Sequence, residues 1–361
     1  MIDPHVHLRD WAQREKETLA HGLAVAQACG ITALFDMPNT NPPLTDRATI
    51  ERRLMEVAAL KAGVSYHLWA GVTSKRNQVA EVAALAMDLY PAVVGLKLFA
   101  GHSTGNMGLT EEEGQLQVYR WLAEAGYDGV VALHCEKEQF MHPELNDPND
   151  FSSHSRVRPP EAEVASVADQ IRLSRQAGFE GHLHICHLST MGALEQVEQA
   201  RREGRRISCA VTPHHLLLSE EDAKRRSLWA KMNPPLRSQE ERSALFTATL
   251  DARVDWIETD HAPHTLTDKE GGASGIPGFS GLLLAIKALI DAGIDETLLS
   301  ELAGGRVKRL FALEQVKVTI PPYDALCAIS DRMARQYPYD SFAGLRARSS
   351  RSLPPSPRWS E

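Results

Sequence analysis

The sequence predicts an α/β protein built as a closed parallel (β/α)8 TIM barrel, and three observations lead there. Short β-branched, apolar segments alternate with longer segments of helical period, and there are eight of the short ones. From His5 in the first to Asp260 in the last is 255 residues over seven steps, about 36 per unit, the length of a βα repeat. The chain has 361 residues, 43% of them apolar, enough to enclose such a core.

Taken in order, the strands are IDPHVHL around residue 5, ITALFDMP from Ile31, YHLWAGV from Tyr66, VVGLKLFA from Val93 and GVVALHCE from Gly129. HLHICHLS from His182, RISCAVTPH from Arg206 and VDWIETDHAPH from Val254 complete the set. The segments between them include TDRATIERRLMEVAALKAG, TEEEGQLQVYRWLAEAG and SQEERSALFTATLDA. Their Thr, Ser or Asp starts and Gly or polar ends are cap signals. A doubly wound open sheet is the rival architecture, but no GxGxxG turn follows the first strand. The barrel is assigned to residues 1–315. Residues 316–361 form a C-terminal extension whose Pro, Arg and Ser content from Pro321 onward predicts a poorly ordered appendage.

Lys and Arg number 39 against 47 Asp and Glu, a net charge of −8. That balance gives no general attraction to nucleic acid or an anionic membrane, and a small-molecule partner is the expectation. The first twenty residues lack the apolar centre of a signal peptide, and the most apolar helical stretch, GLLLAIKALI, is short and interrupted by Lys287. A cytoplasmic protein is expected, and a homo-oligomer is allowed. The five cysteines are scattered without a CxxC pair, so neither a disulfide framework nor a structural zinc knot is indicated.

Chemistry concentrates at the strand ends. His5 and His7 alternate with Val6, so they project to one side together with Arg9, where barrel enzymes place their active sites. Strand 5 ends in His134, strand 6 in His187 and strand 8 in Asp260. Strand 4 carries Lys97 between Leu96 and Leu98, and a lysine in an apolar strand requires a partner or a task. A buried amine is nucleophilic enough for a Schiff base or for capture of carbon dioxide as a carbamate. Four imidazoles and a carboxylate are zinc ligands by type, which favours the carbamate, an anionic ligand able to bridge two ions. His5, His7 and Asp260 then serve one ion, His134 and His187 the other. Two such ions suit hydrolysis of an amide, with Asp260 as general base and acid.

At these residues the chain resembles the dihydroorotase family of the amidohydrolase superfamily. The runs IDPHVHLRD, FDMPNTNPPLTD, GLKLFAGHSTGNMG, HICH, VTPHHLLLS, KMNPPLR and TDHAPHT carry the resemblance, in order, over about residues 1–315. It implies interconversion of L-dihydroorotate and N-carbamoyl-L-aspartate, the third step of pyrimidine synthesis, at two zinc ions bridged by carboxylated Lys97. It also implies that Arg9, Asn39 and His264 hold the substrate carboxylate, with Asn233 and Thr104 lining the pocket. Hydantoinases or dihydropyrimidinases and allantoinases share the barrel, the lysine and the metal ligands, but their substrates need no clamp such as Arg9 with Asn39. An inactive barrel acting as a structural partner of another pyrimidine enzyme is the reading from a different class. Many family members carry a small β-sandwich; here it is expected to be absent or incomplete.

The remaining polar residues receive plainer expectations. His182 and His184 alternate opposite to His187 and should face helices; Cys135 and Cys186 should likewise turn away from the ligands. His214 and His215 are balanced between orienting ligands and packing a loop. Glu258 shares the facing of Asp260, which predicts a buried carboxylate near metal.

Overall fold

The structure is a computed structural model in which residues 1–102, 107–147 and 149–345 are described. Eight strands form one sheet in sequence order: β1 (Ile2–Val6), β2 (Ala33–Asp36), β3 (Ser65–Gly71), β4 (Val93–Ala100), β5 (Val130–Cys135), β6 (His182–Ile185), β7 (Ile207–Val211) and β8 (Trp256–Ile257). Neighbours pair in parallel throughout. A parallel bridge between Val6 and His261, with the His7 amide 2.7 Å from the His261 carbonyl, closes β8 onto β1. The predicted barrel is therefore present. Among the described residues no strand lies outside it, so no accessory sandwich is seen.

Each βα step has a helix on the outside: α1 (Leu19–Ala28), α2 (Arg47–Leu60), α3 (Arg76–Asp88), α4 (Glu112–Glu124), α5 (Pro160–Gln176), α6 (Met191–Arg202), α7 (Gln239–Leu250) and α8 (Phe279–Asp291). Asp46 and Ser238 accept the Thr49 and Glu241 amides and cap α2 and α7 as their sequences suggest. The predicted cap of α4 differs, because Glu111 stands at the cap without a side-chain hydrogen bond. No helix among the described residues is long and apolar enough to cross a membrane.

The alternation of each strand divides the core into two layers. Leu34, Leu68, Leu96, Leu98, Val131 and Leu133 pack outward against the helices. Phe35, Trp69, Ala132 and Trp256 fill the barrel, whose floor is plugged by Phe311, edge-on to Phe35 at 4.9 Å and to Trp69 at 5.6 Å.

The appendage expected from Pro321 onward differs in its described part. Residues Tyr323–Ala334 form a helix, α9, that packs on α8, with Ser330 Oγ donating to the Ser280 carbonyl at 2.9 Å. Leu326, Met333, Tyr337 and Phe342 are buried, and the Tyr337 hydroxyl donates to Glu17 at 2.8 Å. These apolar anchors are spaced too widely to register against the Pro and Arg around them. The tail RARSSRSLPPSPRWSE lies outside the described residues.

One buried ion pair bears on the site. Asp36 at the end of β2 accepts from Arg53 Nη2 at 2.6 Å, from the Tyr66 hydroxyl at 2.7 Å and from the Leu8 amide at 2.9 Å. It thus fixes the backbone between His7 and Arg9. Arg53→Met leaves that carboxylate buried without its cation and should cost about 3–5 kcal/mol in chemical denaturation; a loss under about 1 kcal/mol would show that Asp36 does not depend on Arg53.

Candidate active site

The mouth of the barrel begins with β1. Its register shifts between Asp3 and Val6, and His5 and His7 then face the interior with ring centroids 5.3 Å apart. His5 Nδ1 lies 2.9 Å from Glu258 Oε1, and His7 Nδ1 lies 2.6 Å from Asn39 Oδ1. Both partners are acceptors, so both Nδ1 atoms carry a proton and each ring turns its Nε2 inward; burial disfavours the charged ring of His5, but Glu258 outweighs it and raises the His5 pKa to about 10. Those Nε2 atoms meet one oxygen, Asp260 Oδ1, at 3.3 and 3.0 Å. Burial opposes the charge on Asp260, but His7 and His5 hold its carboxyl well below the usual carboxylate range. Burial lowers the His7 pKa to about 4.

A second convergence lies alongside. His134, at the end of β5, presents Nδ1 at 3.1 Å from His187 Nε2, and its own Nε2 lies 3.1 Å from Glu136. Glu136 is in turn gripped by Arg158 through Nε at 3.0 Å. His187 Nδ1 finds no hydrogen-bond partner among the described residues. The His5 and His187 rings stand 5.2 Å apart, so the two groups adjoin. Lys97 is fully buried and reaches the same centre from below, its Nζ 3.1 Å from Cys186 Sγ. Cys186, Glu258 and His5 bring ligand atoms within 4.8 Å of one another.

Strand β6 corrects the expectation for three side chains. Cys186 is not turned away from the ligands, and His182 and His184 do not face helices. His182 and His184 both contact Ser208 Oγ, at 2.8 and 3.0 Å, and His184 stacks on the interior Trp256 at 4.5 Å. The reason is local: His187 has φ +36°, which breaks the alternation and lets Cys186 and His187 face inward in succession. Cys135 does turn outward, into the layer under the helices.

Glu258 proves to be the hub of the site. It accepts from His5 Nδ1 at 2.9 Å, the His187 amide at 2.8 Å, His184 Nε2 at 3.2 Å and Trp256 Nε1 at 3.3 Å. His215 packs a loop, bonding Thr212 and the Pro234 carbonyl at 2.9 and 3.1 Å. His214 is buried with neither ring nitrogen bonded among the described residues, and burial lowers its pKa to about 4.

Above the centre opens a pocket of about 370 Å³ lined by Arg9, Asn39, Phe99, Asn233, Ser274 and Gly275 together with the histidines and Asp260. Arg9 is 1% exposed. Its Nε donates to the Pro263 carbonyl at 3.3 Å and its Nη2 lies 3.3 Å from His264 Nε2, while Nη1 has no partner among the described residues. Burial, then Arg9, Lys16 and Lys269, lower the His264 pKa to about 3, leaving it neutral beside the guanidinium. Asn39 lines the pocket while orienting His7. Asn233 Oδ1 lies 2.8 Å from His154 Nε2. Thr104 lies outside the described residues. His154 and Lys269 stand in no strand-end pattern that singles them out, whereas Glu136 closes the segment GVVALHCE two residues after His134 and shares its alternation.

An eight-stranded barrel with histidines, a lysine and an aspartate gathered at the carboxyl ends of its strands defines an amidohydrolase-fold protein. No family model matches the sequence. The chain is 37% identical over 297 residues to the dihydroorotase of Thermococcus kodakarensis, covering 81% of this chain and 62% of that one. To the dihydroorotase of Methanothermobacter thermautotrophicus it is 34% identical over 324 residues, covering 88% and 68%. The fold matches the L-hydantoinase (dihydropyrimidinase) of Arthrobacter aurescens with a TM-score of 0.79 at 22% identity, covering 89% of this chain and 73% of that one. The chain belongs to the dihydroorotase family, and it spans somewhat under two thirds of the length of the first of these relatives.

The hub can be tested. Glu258→Ala removes the acceptor that orients the His5 ring and should weaken binding of an added divalent metal by about 10–100-fold in a chelator competition; unchanged affinity would show that the histidines are oriented without it.

Proposed function

We propose that the chain is a metal-dependent dihydroorotase, interconverting L-dihydroorotate and N-carbamoyl-L-aspartate, a step of pyrimidine synthesis. The observation that carries this reading is Arg9: a buried guanidinium whose Nη1 has no partner among the described residues, beside a metal-type donor cluster. A desolvated, incompletely bonded cation asks for an anionic group on the ligand, and dihydroorotate is a cyclic amide with a free carboxylate.

The donor set fits divalent metal. His5 and His7 each turn Nε2 to one carboxylate oxygen at 3.0–3.3 Å, and two more imidazole nitrogens meet at 3.1 Å, four ring nitrogens and a carboxylate gathered in one buried place and all of them ligand types for zinc. His5, His7 and Asp260 would hold one zinc ion and His134 and His187 a second, with Lys97 as a carbamate shared by both. Such a pair of cations supplies a nucleophilic water at neutral pH and polarises the carbonyl it attacks.

The chain's own groups do the rest. Arg9 and His264 grip the carboxylate and set the ring over the centre. Water adds to the ring amide carbonyl, the C–N bond breaks, and Asp260 accepts the proton at its carboxylate oxygen and passes it to the departing nitrogen. At 8% exposure Asp260 is reachable from the pocket, and its depressed pKa leaves it in the carboxylate form. This reading carries a cytoplasmic location with it. A hydantoinase or allantoinase would leave Arg9 without an anion, and a scaffold protein would leave the gathered donors without a task.

Three outcomes follow. Chelation should abolish dihydroorotate hydrolysis and zinc should restore it; activity that survives full metal removal would refute the metal requirement. Lys97→Ala should lose most turnover and recover part of it with a small added carboxylate, whereas unchanged turnover would exclude the carbamate. Arg9→Met should weaken dihydroorotate binding by about 2–5 kcal/mol, and wild-type enzyme should hydrolyse dihydroorotate faster than carboxylate-free dihydrouracil. Normal affinity in the variant, or the reverse preference, would overturn the substrate assignment.

A further inference from the structure

Lys269 takes no part in the chemistry above, yet it is a fully buried lysine. It sits in a short helix, Leu266–Glu270, directly after His264. Its Nζ donates at 3.0 Å to each of three carbonyl oxygens, those of Lys231, Ala273 and Gly275. Three acceptors take three N–H bonds, which only the ammonium form has. Burial, and then the charge of Lys231, bring its pKa down to about 7.

The three oxygens belong to two separate stretches of chain, and both stretches line the pocket. One leads from Lys231 into Asn233; the other carries Ser274 and Gly275. The Gly275 amide donates to the Lys231 carbonyl at 2.9 Å, joining them again. The second stretch also supports the anion-facing pair: the Ser274 carbonyl lies 3.1 Å from His264 Nε2, which lies 3.3 Å from Arg9 Nη2. There is no slack in this wall. Gly275 has φ +139°, and a Cβ there would stand 2.7 Å from the Ala262 carbonyl oxygen and 2.9 Å from His264 Nε2.

We propose that Lys269 is a positioning residue for substrate recognition, its ammonium tying the Lys231–Asn233 wall to the Ala273–Gly275 wall and so holding the His264–Arg9 pair against an anionic ring. The identity of that anion rests on the dihydroorotase reading. Lys269 does not line the pocket, so it governs binding and leaves the chemical step alone.

The experiment compares zinc-loaded wild type, Lys269→Met and Lys269→Gln. Orotate binding is followed by calorimetry, dihydroorotate turnover is resolved into KM and kcat, and zinc content is measured on the same samples. Lys269→Met should raise the orotate Kd and the dihydroorotate KM by about tenfold or more at nearly constant kcat and zinc content. Lys269→Gln, which keeps two N–H donors, should recover part of the loss. A Met variant that binds orotate like wild type, or one that loses kcat at unchanged KM, overturns the role of Lys269 alone. Loss of folded, zinc-containing protein in both variants also overturns it, in favour of a purely structural lysine. Wild type that binds no orotate overturns the dihydroorotase reading and this proposal together.

Discussion

The whole mouth of the barrel is organised around one electrostatic constraint: imidazoles and carboxylates are buried against one another. His5 and His7 each reach Asp260 Oδ1 within 3.3 Å and His134 meets His187 at 3.1 Å. Burying such groups against one another is costly unless positive charge lies between them. Glu258 and Asn39 enforce the arrangement, because each accepts the Nδ1 proton of a histidine and turns its Nε2 to the centre. The fold tolerates this frustration at the one place where eight strand ends converge, above a floor packed by Phe35, Trp69 and Phe311.

Backbone strain contributes to the same end. Arg9, His187 and Asp260 have φ of 41°, 36° and 47°, in a region that residues other than glycine adopt at a cost of roughly 1–3 kcal/mol each. Each stands just beyond the regular part of its strand, and each turns a functional side chain inward. The strain is held in place by specific bonds. Asp36 binds the Leu8 amide before Arg9, Glu258 binds the His187 amide, and Asp3 takes the Thr259 amide and hydroxyl before Asp260.

These devices mark where sequence reasoning succeeds and where it stops. Periodicity and spacing suffice for the eight strands, and alternation places Lys97 inside between the outward-facing Leu96 and Leu98, because β4 is regular there. On β6 the same alternation fails. A left-handed residue that is not glycine leaves no sequence signal, so Cys186, His182 and His184 were assigned to the wrong face. Glu258 was legible as a buried carboxylate but not as a hub, since its four donors come from β1, β6 and β8 and meet only after the barrel closes. Lys269 and His154 act on backbone and loop atoms, and such partners have no pattern at all. The segment from Tyr323 to Phe342 was obscured by composition, its buried anchors too sparse to outweigh the polar residues between them.

The central claim is that two cations occupy this mouth and share a modified lysine. Anomalous diffraction at the zinc edge from crystals of the zinc-loaded protein tests it most directly. The account predicts two anomalous peaks, one beside His5, His7 and Asp260 and one beside His134 and His187, with carbamate density continuous from Lys97 Nζ between them. A single peak or none, with an unmodified Lys97 still resting on Cys186, would contradict it.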